Sequence, residues 1–154
     1  MGDILQSLKV SAIKRQKHVS PINRRRNRLL ASLHLQFEAA KAKQDGKQYS
    51  VKRLCRVRNP QTGEHVDTVR ETRVREAWWV GDDGRLYLEV KYGFKALEIV
   101  KGKTSIEVGD WKNLIPTIEK LGKATEAGEF DAQLNEAFSK LAEQLKAGRQ
   151  SVKR

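Results

Sequence analysis

The stretch VREAWWVGDDGRLYLEVKY, residues 74–92, decides how the middle of this chain folds. β-Branched and aromatic residues flank Gly81-Asp82-Asp83-Gly84, whose turn chemistry predicts a β-hairpin. With Asp82-Asp83 as a two-residue turn, Gly81 faces Gly84, Trp79 falls opposite Leu86, and Ala77 opposite Leu88. Together with Val90 and Tyr92 these residues make one apolar face. The other face then carries a Trp78–Tyr87 cross-strand pair near Val74 and Lys91, and sets Glu76 against Glu89, a like-charge pair expected to recruit a neighbouring arginine.

Upstream of the hairpin the period is also two. Val51, Cys55 and Val57 share one face, and Lys52, Leu54, Arg56 and Arg58 the other. That parity marks Cys55 as a core residue. The sequence Asn59-Pro60-Gln61-Thr62-Gly63 is a strong turn, and the strand after it, over 65–80, is long enough to require a bend or bulge. Downstream, Gly93 breaks the strand ending at Tyr92, residues 94–100 continue as a further strand, and 105–108 follow a turn at Gly102-Lys103.

Helical periodicity brackets this region. Ser20-Pro21 makes a helix entry, Leu30, Leu33, Phe37 and Ala40 trace one apolar stripe, and Gly46 closes a helix over 23–45. After the strands, Trp111, Leu114, Ile118 and Leu121 repeat at helical spacing, with Pro116 implying a start near Asn113 or a kink. Phe130, Leu134, Phe138, Leu141 and Leu145 form a second stripe, closed by Gly148. The fold class is therefore α+β, with an antiparallel sheet of four to five strands over 49–109, an N-terminal basic helix, and two C-terminal helices over 111–147 packed on one sheet face. One domain covers 23–147, flanked by a basic arm at 1–22 and a basic tail at 148–154. Within the arm, Ile4, Leu5 and Leu8 suit one helical turn that could dock on the body.

Charge is the main pointer to function. The 154 residues carry a net charge of +12. Residues 14–28 hold seven Lys and Arg in fifteen positions. Such a block repels itself and the helix N-terminus behind it, so a polyanion is the natural neutralising partner. Its members Lys14, Arg15, Lys17, Arg24, Arg25, Arg26 and Arg28 are candidate phosphate contacts. The Trp78–Tyr87 pair, with Arg56, Arg58 and Lys91 placed nearby, is a candidate platform on which the bases of a nucleic acid could stack.

Several other chemistries lack support. His18, His34 and His65 have no ligand spacing with one another or with Cys55, so no metal is expected. Gly102-Lys103-Thr104 lacks the upstream glycine of a phosphate loop. Glu89-Val90-Lys91 looks superficially like a nuclease tripeptide, but Asp83 lies about 20 Å away along an extended strand. No enzyme activity and no cofactor are expected. The lone Cys55 suits a reducing compartment, the apolar core of the N-terminus is too short for a secretory signal, and no run approaches the roughly 18 apolar residues of a membrane span. Cytoplasmic residence, without a membrane partner, is the expectation.

Through SPINRRRNRLLASLHLQFEAAK at 20–41, WWV at 78–80, GRLYLEVKYGFKALEIVKGKTSIEVGD at 84–110, LIPTIEKL and AGEFDAQL, the chain resembles a family of short basic proteins of unknown function from proteobacteria and their phages and plasmids. That resemblance implies no activity. In element order alone, strands followed by a helix, it is similar to the dimeric single-stranded-DNA-binding domains of the coactivator and Whirly type. The expected function is non-enzymatic nucleic-acid binding, DNA favoured over RNA. The alternative is a phage- or plasmid-borne module that docks on a host nucleic-acid-processing enzyme, with Trp78 and Tyr87 as interface anchors. A homodimer through the C-terminal stripe fits either.

Overall fold

The structure, a computed structural model, describes residues 3–15 and 18–152. The order is α1 (Asp3–Gln6), α2 (Pro21–Gln44), β1 (Ser50–Arg58), β2 (His65–Arg73), β3 (Trp78–Val80), β4 (Leu86–Glu89), β5 (Lys91–Tyr92), β6 (Lys95–Ala96), β7 (Ser105–Gly109), α3 (Trp111–Ala127) and α4 (Asp131–Val152). The α+β class, the N-terminal helix and the two C-terminal helices are as read from the sequence. The strands form three small antiparallel sheets, β1-β2, β3-β4-β7 and β5-β6, in place of one sheet of four or five.

Helix α2 starts where its chemistry says it should. Ser20 Oγ accepts from the Asn23 N–H at 3.4 Å, and Pro21 opens the helix where a missing N–H costs nothing. Leu29, Leu33, Ala39 and Ala40 are its buried residues. It packs against α3 and α4, and α3 in turn against β7. Helix α3 ends at Gly128, whose φ of 87° is the left-handed conformation that closes helices. Pro116 lies inside α3, which begins at Trp111. Helix α4 continues through Gly148 to Val152, so the described part of the expected tail is helical. An isolated glycine lowers helix propensity by only about 1 kcal/mol and does not have to end a helix.

The core gathers Leu29 and Leu33 of α2, Trp78, Leu86, Leu88 and Tyr92 of the strands with Val90 between β4 and β5, and Leu114, Ile118, Leu134 and Leu141 of the last two helices. Each fully buried large aliphatic side chain contributes about 1.5–3 kcal/mol. The expected strand over 65–80 is interrupted at residues 74–77. There Gln36 of α2 takes the place of a strand partner: its Nε2 donates to the Arg75 carbonyl at 2.9 Å, and its Oε1 accepts from the Ala77 N–H at 3.0 Å. The segment upstream of that break, β1 and β2, leaves the core altogether.

The hairpin register also differs from the sequence reading. Trp78 pairs with Leu88, Trp79 with Tyr87, and Val80 with Leu86. The loop holds three residues rather than two, closed by Gly81 N–H donating to Arg85 O at 2.8 Å, with Gly84 at φ 77°. A type I turn followed by a left-handed glycine is the common three-residue hairpin loop, and Gly84 sits where it needs one. One added loop residue turns every side chain of β3 over. Trp78 is therefore buried at 5% exposure, and Trp79 takes the outer position.

Candidate nucleic-acid interface

Strands β1 and β2 pair from Ser50↔Arg73 to Arg58↔His65, nine residues on each side. Every residue of β2 is exposed, and β1 is at most half-buried. Alternation is present as expected, but neither face meets the core. Leu54 and Val69, directly opposite each other, are 76% and 65% exposed. Cys55 is half-buried on the ribbon and lies outside the core, because parity assigns a face without saying whether anything covers it. The ribbon is rooted by Tyr49 and Val74, which pack against the core. Nine residues at about 3.3 Å each carry its far end about 30 Å outward.

Cations line both faces of this ribbon. One face holds Lys52, Arg56, Arg58 and Arg73, with Glu71 opposite Lys52 and Asp67 opposite Arg56. The other holds Arg53 directly opposite Arg70 and carries no acid. Sequence reading passed over Arg53 and Arg70 as site residues, although a four-residue loop after Asn59 pairs them and signals the juxtaposition.

The basic block at 14–28 divides. Lys14, Arg15 and Arg24 are exposed, the first two on a segment without regular structure, and Lys17 lies outside the described residues. Arg26 is committed to Asp131 of α4 through two hydrogen bonds, Nε to Oδ1 at 2.7 Å and Nη2 to Oδ2. The Asp131 hydrogen bond pushes the Arg26 pKa up, and the same bond holds the Asp131 carboxyl below its ordinary value. Arg25 donates to Asn135 and lies 4.1 Å from the centre of the Phe138 ring. Arg28 lies 5.2 Å from the centre of the Tyr92 ring while remaining exposed. Three of the block's seven cations, Arg25, Arg26 and Arg28, therefore face α4 or Tyr92 and dock α2 onto the rest of the fold. Ile4, Leu5 and Leu8 are exposed at 83%, 72% and 58%, so the first turn does not dock on the body.

The outer face of β3-β4 carries a stack of Trp79 on Tyr87, centroids 6.0 Å apart. It replaces the expected Trp78–Tyr87 pair, since Trp78 lies inside, where its Nε1 has no hydrogen-bond partner. The surroundings of the stack are acidic as much as basic. Tyr87 Oη donates to Asp83 Oδ2 at 2.6 Å, and Arg85 pairs with Glu107 at 2.6 Å. The Tyr87 hydrogen bond holds the Asp83 carboxyl below its ordinary value and raises the phenol's own pKa. Lys91 pairs with Glu89 at 3.5 Å. Glu76, expected opposite Glu89, instead pairs with Lys43 of α2 at 3.0 Å, because the register shift sets Ala77 there. Arg56 and Arg58 are not beside this stack; they lie at the far end of the ribbon.

Fold and surface define the class: an α+β domain carrying a long, doubly exposed, cationic β-ribbon. Residues 4–134 match the family of unknown function DUF6641, and the chain belongs to that family. No curated protein and no solved structure matches it. Among the described residues, no helix is long and apolar enough to cross a membrane.

Proposed function

We propose that this protein binds nucleic acid, DNA in preference to RNA, without catalysing a reaction on it, and does so in the cytoplasm. The observation that carries this reading is the distribution of ion pairs. Among the described residues, the five ion pairs use Arg26, Lys43, Arg85, Lys91 and Lys140, all on the body of the fold. The cations of the arm and of the ribbon take part in none of them. Other cations of the body are also outside these pairs, but only the ribbon sets six of them, Lys52, Arg53, Arg56, Arg58, Arg70 and Arg73, against just Glu71 and Asp67 on one extended, exposed element, which suits a polyanion whose charge is spread over tens of ångströms.

Lys14, Arg15 and Arg24 supply the contacts from the arm side. Electrophoretic shifts at low salt test the proposal directly: retarded DNA, with affinity falling as salt rises, supports it, and no shift of DNA or RNA refutes it. A competing reading, a module docking on a nucleic-acid-processing enzyme, draws on the Trp79–Tyr87 stack, whose border of Asp83, Glu107 and Glu89 suits a cationic protein surface better than phosphate. A pull-down after nuclease treatment separates the two. One stoichiometric protein retained favours the module, and loss of every partner favours nucleic acid.

A further inference from the structure

We infer that the β1–β2 ribbon inserts along the minor groove of double-stranded DNA, with the Pro60 tip as a wedge between neighbouring base pairs that kinks the duplex. This rests on the nucleic-acid reading above and names the ligand and the element that grips it.

Four observations converge. First, Arg53 and Arg70 face each other with no acid on their side of the ribbon. Directly opposed like charges destabilise an isolated ribbon, and anions placed against them relieve that cost. Second, the opposite face is also cationic in excess, with Lys52, Arg56, Arg58 and Arg73 against Glu71 and Asp67. Cations on both faces suit an element flanked by phosphates on two sides. The minor groove provides that arrangement once a kink toward the major groove opens it beyond its relaxed width of about 6 Å, which is too narrow for a two-stranded ribbon. Third, exposed Leu54 and Val69 give the ribbon an apolar strip suited to the sugars of the groove walls.

Fourth, the tip is stiff and carries the right chemistry. Asn59 N–H donates to the Glu64 carbonyl at 2.7 Å, and Gly63 N–H to the Asn59 carbonyl at 2.8 Å. Asn59 Oδ1 accepts from the Gln61 N–H at 2.9 Å. These bonds hold Pro60 exposed at the apex, between Asn59 and Gln61 and next to Arg58. Proteins that kink DNA from the minor groove use an apolar wedge, proline among them, beside Arg, Asn or Gln that read the groove. Glu64 is the one acid in the loop itself, on the far side of the turn, and Asp67 lies opposite Arg56 just below it.

The test uses the full chain with a 30-base-pair DNA duplex carrying a fluorescent donor and acceptor at its two ends, the corresponding single strand, and a duplex RNA of the same length. The proposal expects the DNA duplex to bind more tightly than either of the others and end-to-end transfer to rise on binding. Netropsin, which fills the minor groove, should compete, and methyl green, which fills the major groove, should not. The double variant Arg53→Ala/Arg70→Ala should lose about 10- to 100-fold in affinity at 0.1 M salt and flatten the salt slope by about 2. Arg53→Lys/Arg70→Lys should keep the slope. Pro60→Ala should keep most of the affinity and lose the rise in energy transfer. Circular dichroism melts should be unchanged in all three, since the ribbon lies outside the core.

If the duplex binds but the arginine variant binds as the parent does, or if methyl green alone competes, the ribbon assignment falls while nucleic-acid binding stands. Unchanged energy transfer in Pro60→Ala overturns the wedge. Binding to none of the three probes removes both readings together.

Discussion

Arg26 of α2 and Asp131 of α4 close a two-point clamp across 105 residues of sequence, guanidinium against carboxylate, at the place where the basic block meets the fold. The hydrogen bond from Arg26 holds the Asp131 carboxyl below its ordinary value of 3.8. A carboxylate depressed in the folded state stabilises the fold above its unfolded pKa, and that stability is lost as pH falls through the folded value. The clamp is therefore fully in place at neutral pH and is withdrawn as pH falls below 3.8 toward the depressed value. Thermal melts of Arg26→Ala should show a lower midpoint at pH 7 than the parent, with the difference shrinking toward pH 2. A difference that stays constant over that range would rule out the clamp as its source.

Gly128 ends α3 beside that same clamp. Its φ is 87°, and a Cβ built there would lie 2.8 Å from Arg26 Nη2. Gly128→Ala therefore meets both backbone strain, about 1–2 kcal/mol, and a collision with the guanidinium. Urea unfolding should show a loss of at least that size. In the Arg26→Ala background the loss should be smaller, because one of its two causes is gone.

Trp78 and Trp79 are neighbours in sequence with opposite environments, 5% and 41% exposed. Trp78→Ala should cost about 3–5 kcal/mol in denaturant unfolding. Trp79→Ala should cost about 1 kcal/mol, the scale of a surface aromatic pair. Trp78→Phe should be milder than Trp78→Ala, since it keeps most of the volume and removes a buried indole N–H that has no partner. Equal costs for Trp78→Ala and Trp79→Ala would contradict the observed register.

The Tyr87–Asp83 hydrogen bond gives an alkaline signature. It raises the phenol above its ordinary value of 10.0, so the stability it brings is present below that pH and lost as pH rises through the raised value. Asp83 makes the mirror contribution, lost only as pH falls through its depressed value. Spectrophotometric titration, with Tyr87→Phe to assign the signal, should show Tyr87 ionising late, and Asp83→Ala should bring it back toward 10.0. An unaltered titration in Asp83→Ala would show that the bond does not form in solution.

Much of this was legible in local sequence. Ser20-Pro21 marks the start of α2 to within two residues, the period-two alternation marks β1, and the turn at 59–63 marks the start of β2 at His65 though not its end at Arg73. The two-residue turn makes Gly84 a strand residue facing Gly81, whereas a glycine at the third loop position is itself the sign of a three-residue turn. That single slip exchanged Trp78 for Trp79 in the site and dissolved the expected Glu76–Glu89 pair. The candidate arginines were legible as a charge, but not as individuals. Arg24 and Arg26 are two positions apart, and only the second meets an aspartate, one supplied by α4.

By itself the sequence determined the kinds of elements, their order, and the concentration of cations at the N-terminus and in the first strands, because periodicity, capping and charge act within a few residues. Tertiary structure decided which faces are covered. Gln36 interrupts the strand at residues 74–77, Asp131 and Asn135 draw Arg26 and Arg25 into the body, and no other element packs extensively on β1 and β2. Alternation specifies two faces of a strand; burial needs a second surface from elsewhere in the chain. For the ribbon the fold supplies none, and its cations run from the root at Arg73 to a far end about 30 Å out from the core.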